Sequence, residues 1–358
     1  MILVDYMHLC NRILFTSIAS STPKKKEGQY VTEDFKGLTI NGILTSFGYF
    51  IKEFKEYGEI VCCLEDKSWR RSFYPDYKGN RQDKREKSDI NFEEVFLIFD
   101  EVAQALQKSF GIKTLKVQEA EGDDIIAVLT EMNSLKTQKT LIISSDKDFK
   151  QLFRYKNVDI YDPIKKEFRT KPSSLEEIEE EIKLHIIQGD DSDNIPNVTK
   201  GCVFSDNFSS FLKKNNIFTE SPRDFLKLSV SEDLINRYDV FQVYKSGKNK
   251  GKLKDEKDLY KTTPLTKKKL EEVKKEIETD SIIGDNFKRN RILIDFNYIP
   301  ENIKERIKET YKNTPSPKAN PMGMMEFCAA NRLKQLMGNC SVFLINEYEG
   351  KDDIDSAF

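Results

Sequence analysis

Leu141-Ile-Ile-Ser-Ser-Asp-Lys-Asp148 decides how the rest of the chain reads. An apolar run closed by hydroxyls and then by acids is a buried strand ending abruptly in charge. The same punctuation recurs in Met1-Ile-Leu-Val-Asp5 and in Ile60-Val-Cys-Cys-Leu-Glu-Asp66. Glu121-Gly-Asp-Asp124 opens a predicted helix, and Gly189-Asp-Asp-Ser-Asp193 lies in a polar stretch. Each has an ordinary explanation. An acid often finishes a strand, the helix dipole favours acids in a first turn, and Asp146 with Asp148 would serve equally as a helix cap and first-turn acid. Several such groups converging on one sheet edge would be electrostatically untenable without cations. The series is therefore a candidate divalent-metal site, and so a candidate phosphodiester-cleaving one.

Working outward, residues 38–57 carry apolar residues at helical spacing and stop at Gly58, a natural helix-ending residue. A second amphipathic helix is predicted from Phe92 to Phe110, followed by a strand over 112–117. A helix from about Asp123 to Met132, strand Thr140–Ser144, a helical turn over 147–153 and strand Val158–Tyr161 complete the alternation. Strands alternating with helices predict an α/β fold with a central, mainly parallel twisted sheet flanked by helices. Ligands of such sheets bind beyond the carboxyl ends of the strands, where Asp5, Asp66 and Asp146 are predicted to lie. Residues 67–90 lack an apolar stripe and read as an exposed arch. From Leu175 the pattern turns helical (175–187, 206–214, 222–237, 265–277, 301–311 and 324–337), with Arg291–Pro300 extended and apolar between. The expected division is a catalytic domain over 1–187 and a helical, DNA-binding lobe over 188–358. That lobe would carry a flexible loop at 245–257 and an acidic tail.

Composition narrows the chemistry. The 358 residues suit two domains, and no apolar run is long enough to span a membrane. The amino terminus lacks the basic and small-residue features of a signal peptide. Six cysteines without a Cys-x-x-Cys unit read as reduced, mostly buried thiols of a cytoplasmic protein. With only two histidines, His8 and His185, any metal would be oxygen-ligated, which favours Mg²⁺ or Mn²⁺. The net charge of −2 averages opposed blocks. Cations crowd 67–87 and 245–257, while acids crowd the candidate site, the 176–181 helix and the tail. Segregation of this kind suits a metal cluster beside a phosphate-binding surface, and suits solvated helices as well.

Three motifs together are more specific than any one. Ile143-Ser-Ser-Asp-Lys-Asp-Phe-Lys-Gln-Leu152, Tyr74-Pro-Asp-Tyr-Lys-Gly-Asn-Arg81 and Gly189-Asp-Asp-Ser-Asp-Asn194 occur in the order and spacing of the flap endonuclease / 5′-nuclease superfamily. The chain resembles that family, collinearly from residue 1 to about residue 310, and within it the ribonucleases H of T-even-type bacteriophages. The resemblance implies that Asp5, Asp66, Asp123 and Asp146 surround one Mg²⁺, with Glu121 holding a bound water and Asp124 in support. Asp148, Asp190 and Asp193 would surround a second ion, for which Mn²⁺ could substitute. Two such ions ~4 Å apart activate water and stabilise the leaving oxygen. Lys78 and Arg81 would contact the scissile phosphate, making them catalytic with Asp146, Asp123 and Glu121. Tyr77 would stack on an unpaired base, a contact worth ~1–3 kcal/mol. Arg70 and Arg71 are phosphate contacts or solvated surface, while His8 is expected to be structural.

The chain departs from the family after its third motif, where Asn194-Ile-Pro-Asn-Val-Thr-Lys-Gly-Cys202 keeps only one glycine of a Gly-rich, potassium-binding turn. That argues against a monovalent-ion site and transfers duplex binding to lysines: Lys200, Lys213, Lys214 and the 245–254 loop. The implied activity is removal of RNA primers and 5′ flaps from duplex DNA during lagging-strand replication. The implied enzyme is a monomer in the cytoplasm of an infected host, without membrane contact. A sliding clamp or single-stranded-DNA-binding protein would be its recruiting partner, with the tail Asp352–Phe358 a candidate clamp contact. Two rivals share parts of the pattern. A PIN-type ribonuclease has the carboxylates without the arch or the helical lobe. A non-catalytic DNA-structure-binding protein would be expected to lose some of the acids. A haloacid-type phosphatase needs Asp-x-Asp at its first strand, and here Asp5 is followed by Tyr6 and Met7.

Overall fold

The computed structural model describes residues 1–136, 138–198, 267–278 and 281–345. Its strands are β1 Ile2–Asp5, a small hairpin of β2 Lys25–Lys26 and β3 Gln29–Tyr30, β4 Ile60–Cys63, β5 Lys113–Leu115, β6 Thr140–Ile143, β7 Val158–Asp162 and β8 Glu167–Phe168. Six of them form one sheet in the order β5-β4-β1-β6-β7-β8. All neighbours are parallel except β8, which pairs antiparallel at the edge. Every residue of β1, β4 and β6 is buried, which is why these runs read as continuously apolar rather than alternating.

The period of two divides each strand between two cores. Ile2, Val4, Ile60, Cys62, Leu141 and Ile143 face a core shared with α1 (Tyr6–Ser21), α2 (Glu33–Glu53) and α5 (Phe92–Lys108). On the opposite face, α6 (Gly122–Leu135) packs against β1, β4 and β6. Cys62 and Cys63 therefore point to opposite sides, and each of the five described cysteines is buried and in no disulfide. Helix α1 was not anticipated from the sequence. Helix α2 begins at Glu33 rather than Leu38, because Glu33 and Asp34 supply a first acidic turn ahead of the apolar stripe.

The chain forms two compact units, and their boundaries correct the expected division at residue 187. The first unit contains Met1–Phe73, Arg81–Ile178 and the described residues from Ile299 onward. The reason lies in packing: α10 (Glu301–Asn313) lies against α6. The short helices α11 (Pro321–Ala330), α12 (Lys334–Met337) and α13 (Ser341–Leu344) place Met324, Cys328, Leu336 and Phe343 in the main core.

The second unit contains Tyr74–Asn80 and the described part of Glu179–Tyr298. It includes most of α7 (Leu175–Gln188), α8 (Lys267–Glu276) and α9 (Ser281–Ile294), around Ile187, Val198, Val273 and Ile283. The buried Asn290 amide donates to the carbonyls of Ile186 and Pro196 at 3.0 and 2.7 Å, tying α9 to the segment after α7. Arg291–Pro300 is not the expected extended segment: α9 continues to Ile294 and a 3-10 turn covers Phe296–Tyr298. The expected helices at 206–214 and 222–237, the 245–257 loop, Lys200, Lys213, Lys214 and the tail 352–358 lie outside the described residues.

Candidate metal centre

The carboxyl ends of β1, β4 and β6 place the first acids. Parallel pairing sets Asp5 beside Cys63 and Val4 beside Ile143, so the chains leave the sheet side by side. Asp5 caps α1, accepting from the His8 backbone N–H at 3.2 Å. Its other oxygen accepts from the Ser144 hydroxyl at 2.8 Å, and that same Ser144 oxygen accepts the Asp146 N–H at 3.0 Å. One hydroxyl thus spaces two of the expected ligands. Asp146 in turn accepts the Asp148 N–H at 2.9 Å, opening the 3-10 helix Asp148–Arg154.

Asp66 lies three residues beyond β4. It is tied to the approach to α6: its N–H donates to the Ala120 carbonyl, and its carboxylate accepts the Glu119 N–H, both at 3.0 Å. Gly122 lets α6 begin hard against β4, since a Cβ there would come within 3.3 Å of the Cys63 carbonyl oxygen. Asp123 is consequently brought to the end of β4. The Cys63 thiol is pushed well up by burial and by the nearby carboxylates of Asp5 and Asp123. Burial also pushes the Asp5 carboxyl up, against His8, Ser144 and its backbone bond, with Asp146 adding to the rise. Asp5, Asp123 and Asp146 therefore gather at one edge of the sheet, and Asp66 follows the end of β4 at the approach to α6.

Glu121 and Asp124 also share a partner, Arg70, whose burial corrects the expectation for that arginine. Arg70, at the start of α3 (Arg70–Phe73), is only 2% exposed. Its guanidinium donates to Glu121 at 2.8 Å and lies 2.9 Å from one Asp124 oxygen and 3.1 Å from the other. Ser68 adds a hydroxyl to Glu121 at 2.8 Å, and the Trp69 indole N–H donates to Asp124 at 3.2 Å. Asp124 also accepts the Glu121 N–H, closing a capping box. Asp124 is wholly buried, and Arg70 is its counter-cation. Arg70 is accordingly no phosphate contact. Arg71, by contrast, is exposed.

The expected arch is more structured than its composition suggested. Trp69, Tyr77 and Lys78 are buried, and α4 (Asn80–Glu86) follows with Arg81 partly exposed. In the second unit, the Tyr77 hydroxyl donates to Asp193 at 3.0 Å, and the Lys78 ammonium lies 3.8 Å from the same carboxylate. A buried Tyr77 does not offer its ring to a base, which corrects that expectation. Asp190 accepts from the Ser192 hydroxyl at 2.6 Å and the Ser192 N–H at 2.8 Å, and meets the His185 ring at 3.1 Å. Gly189 (φ 69°) is obligatory here, because a Cβ would fall 2.3 Å from the Ile195 carbonyl oxygen.

Sequence reasoning passed over Asp162, although it too ends a strand. It is buried and holds Ser145 by accepting its hydroxyl at 2.8 Å. Burial alone would raise this carboxyl. Ser145, the Lys165 and Ile164 amides and Arg169 together hold it below the usual carboxylate range. An apolar strand ending in Asp was the available signal.

The donor set of the first unit is all oxygen, crowded and partly buried, which fits a hard divalent cation and suits a thiol-seeking one poorly. A parallel sheet with acids gathered at its carboxyl edge is the framework of a metal-dependent nuclease. The chain belongs to the 5′-3′ exonuclease family: residues 1–183 match its N-terminal resolvase-like domain, and residues 233–343 match the C-terminal domain of T4 RNase H. Ribonuclease H of Enterobacteria phage T4 is 31% identical over 280 residues, covering 77% of each chain. A 5′-3′ exonuclease of Buchnera aphidicola (subsp. Schizaphis graminum) is 34% identical over 39% of this chain and 47% of its own. The solved T5 5′-exonuclease with bound zinc is 14% identical, with a TM-score of 0.49 over 88% of this chain and 99% of that one.

Proposed function

We propose that the protein is a Mg²⁺-dependent 5′-3′ nuclease that hydrolyses phosphodiesters to remove RNA primers and 5′ flaps from duplex DNA. The observation that carries this reading is the gathering of Asp5, Asp123 and Asp146 around the ends of β1, β4 and β6, with Ser144 spacing two of them and Asp66 three residues beyond β4. These four carboxylates would hold the cation, with Asp148, Asp190 and Asp193 assigned to a second. Bound there, the metal would lower the pKa of a water and stabilise the negative charge that develops on the leaving oxygen. Glu121 and Asp124 keep Arg70 in place and thereby fix the start of α6 that presents Asp123. Lys78 and Arg81 contribute positive charge to the phosphate, offsetting charge that accumulates as the bond to the leaving oxygen breaks.

The relatives named ribonuclease H, 5′-3′ exonuclease and flap endonuclease support the substrate class. The rest of the reading is a monomer in the cytoplasm of a phage-infected host, recruited by a sliding clamp or a single-stranded-DNA-binding protein. No described helix is long and apolar enough to cross a membrane.

The deciding experiment compares wild type with Asp146→Asn and Lys78→Ala on 5′-flap, RNA–DNA hybrid and blunt duplex substrates in Mg²⁺. Asp146→Asn should abolish cleavage, and Lys78→Ala should slow it by ~10²-fold or more. Cleavage surviving Asp146→Asn would overturn the site assignment.

A further inference from the structure

Asp146 stands just beyond the sheet. Strand β6 stops at Ile143, and the last backbone bond to β7 runs from the Ser144 N–H to the Tyr161 carbonyl at 3.2 Å. What fixes the next residues is the β7–β8 hairpin on the outer side of β6. Asp162, the last residue of β7, uses one oxygen to accept the Ser145 hydroxyl at 2.8 Å and the amides of Ile164 and Lys165 at 2.9 and 3.2 Å. Arg169, just past β8, places its guanidinium 3.6 Å from the other Asp162 oxygen and donates to the Ser145 carbonyl. Its own N–H donates to the Ile160 carbonyl at 2.8 Å, which locks the returning strand. Ser145 is thus held from both ends, one residue from Asp146 and beside Ser144, the spacer between Asp146 and Asp5.

From this geometry we infer that Asp162 and Arg169 form a clamp that positions the Ser144–Asp146 segment for metal binding, an inference that rests on Asp146 being a metal ligand. The hairpin turn is closed locally, by the Ile164 and Lys165 amide bonds to the Asp162 carboxylate and by the Lys166 N–H on the Asp162 carbonyl at 2.8 Å. The bonds to the Ser145 hydroxyl and carbonyl are additional and reach across to the neighbouring strand. Arg169 makes both contacts through one guanidinium nitrogen, Nη2, which joins the Ser145 carbonyl to the Asp162 carboxylate. Groups that orient metal ligands from outside the coordination sphere typically change metal affinity 10–100-fold when removed.

Mn²⁺ binding to the full chain, followed by electron paramagnetic resonance without substrate, tests the clamp. Thermal melting in EDTA provides the structural control for each variant. Ser145→Ala and Arg169→Met should each weaken Mn²⁺ binding by ~10-fold or more at a temperature where both remain folded. Ser145→Thr, which keeps the hydroxyl, should bind nearly as wild type. Lower melting temperatures with unchanged Mn²⁺ affinity in Ser145→Ala and Arg169→Met would overturn the clamp and leave a purely structural hairpin. Asp146→Ala separates the two levels. If it binds Mn²⁺ normally, the metal-site reading itself is wrong. If it loses binding while the Ser145 and Arg169 variants do not, only the clamp is wrong.

Discussion

Arg70 and Arg71 are neighbours of identical chemistry with opposite fates. Nothing in the local sequence separates them, because the partners that claim Arg70 arrive from Glu121 and Asp124, some fifty residues later. Ion pairs across such distances are set by the start of α6 and are illegible in a single sequence. A buried pair that loses one member leaves an uncompensated charge. Arg70→Ala should therefore destabilise the fold by about 3–5 kcal/mol in urea unfolding, whereas Arg71→Ala should change stability little. Equal effects would sink the assignment of Arg70 as an internal counter-cation. Asp162 gives a second residue-level expectation. Its carboxyl is held below the ordinary range by Ser145, the hairpin amides and Arg169, against the opposing effect of burial. A depressed folded-state pKa stabilises the protein above the unfolded value of about 3.9, and that contribution disappears as pH falls through the folded value. Melting curves of wild type and Asp162→Asn should thus converge as pH is lowered below about 4. A constant gap from neutrality to strong acid would show that the carboxylate's charge is immaterial.

Among the elements, the parallel strands were the most legible, since burial on both faces leaves an unbroken apolar run closed by an acid. Asp5, Asp66 and Asp146 could be placed at one edge for that reason. Helix α1 was harder to find because its core-facing residues, Tyr6, Leu9, Cys10 and Leu14, are interleaved with polar ones and directly follow a strand. Of the terminal helices, 301–311 and a single run over 324–337 were visible, but the break between α11 and α12, the last helix α13 and the destination of all of them were not. A helix far along the sequence reads as part of the lobe before it, whereas here its apolar face completes the first core. Phe343 shows how deeply: it is fully buried, with its ring centroid 4.7 Å from that of Phe110. Helix α2 even leaves room for it at Gly48, where a Cβ would sit 3.1 Å from Val342 and 3.7 Å from Phe343. Phe343→Ala should cost about 3–5 kcal/mol, read as a shift in urea midpoint at constant slope. The same packing means that a chain truncated at residue 187 should fail to fold cooperatively. A sharp unfolding transition from that fragment would restore the simpler division.

At the scale of the whole molecule, charge is distributed against its own average. The net charge is −2, yet acids gather at the sheet edge while Arg71, Arg81 and Arg85 share the region of α3 and α4. The Arg85 guanidinium lies over the rings of Phe92 and Phe96, at 5.8 and 4.9 Å from their centroids, and its pKa is lowered by burial and then by Arg81. Cations held close despite mutual repulsion suit a polyanionic partner, and rigid placement spares part of the ordering cost of binding it. Binding and cleavage then depend on different charged groups and should separate. In EDTA the protein should lose cleavage but still bind a 5′-flap duplex. If Arg71, Arg81 and Arg85 each displace one counterion, log K should fall with log salt at a slope of about −2.7. Affinity would then drop about 40-fold between 50 and 200 mM salt, by the same relation. Arg81→Ala should flatten the slope by about one and weaken binding to unrelated sequences alike. Fluorescence anisotropy with two flap sequences across a salt series reads both quantities. A slope near zero would rule out this basic region as the phosphate-binding surface, whereas a steep slope unchanged by Arg81→Ala would move the contact to other cations of the chain.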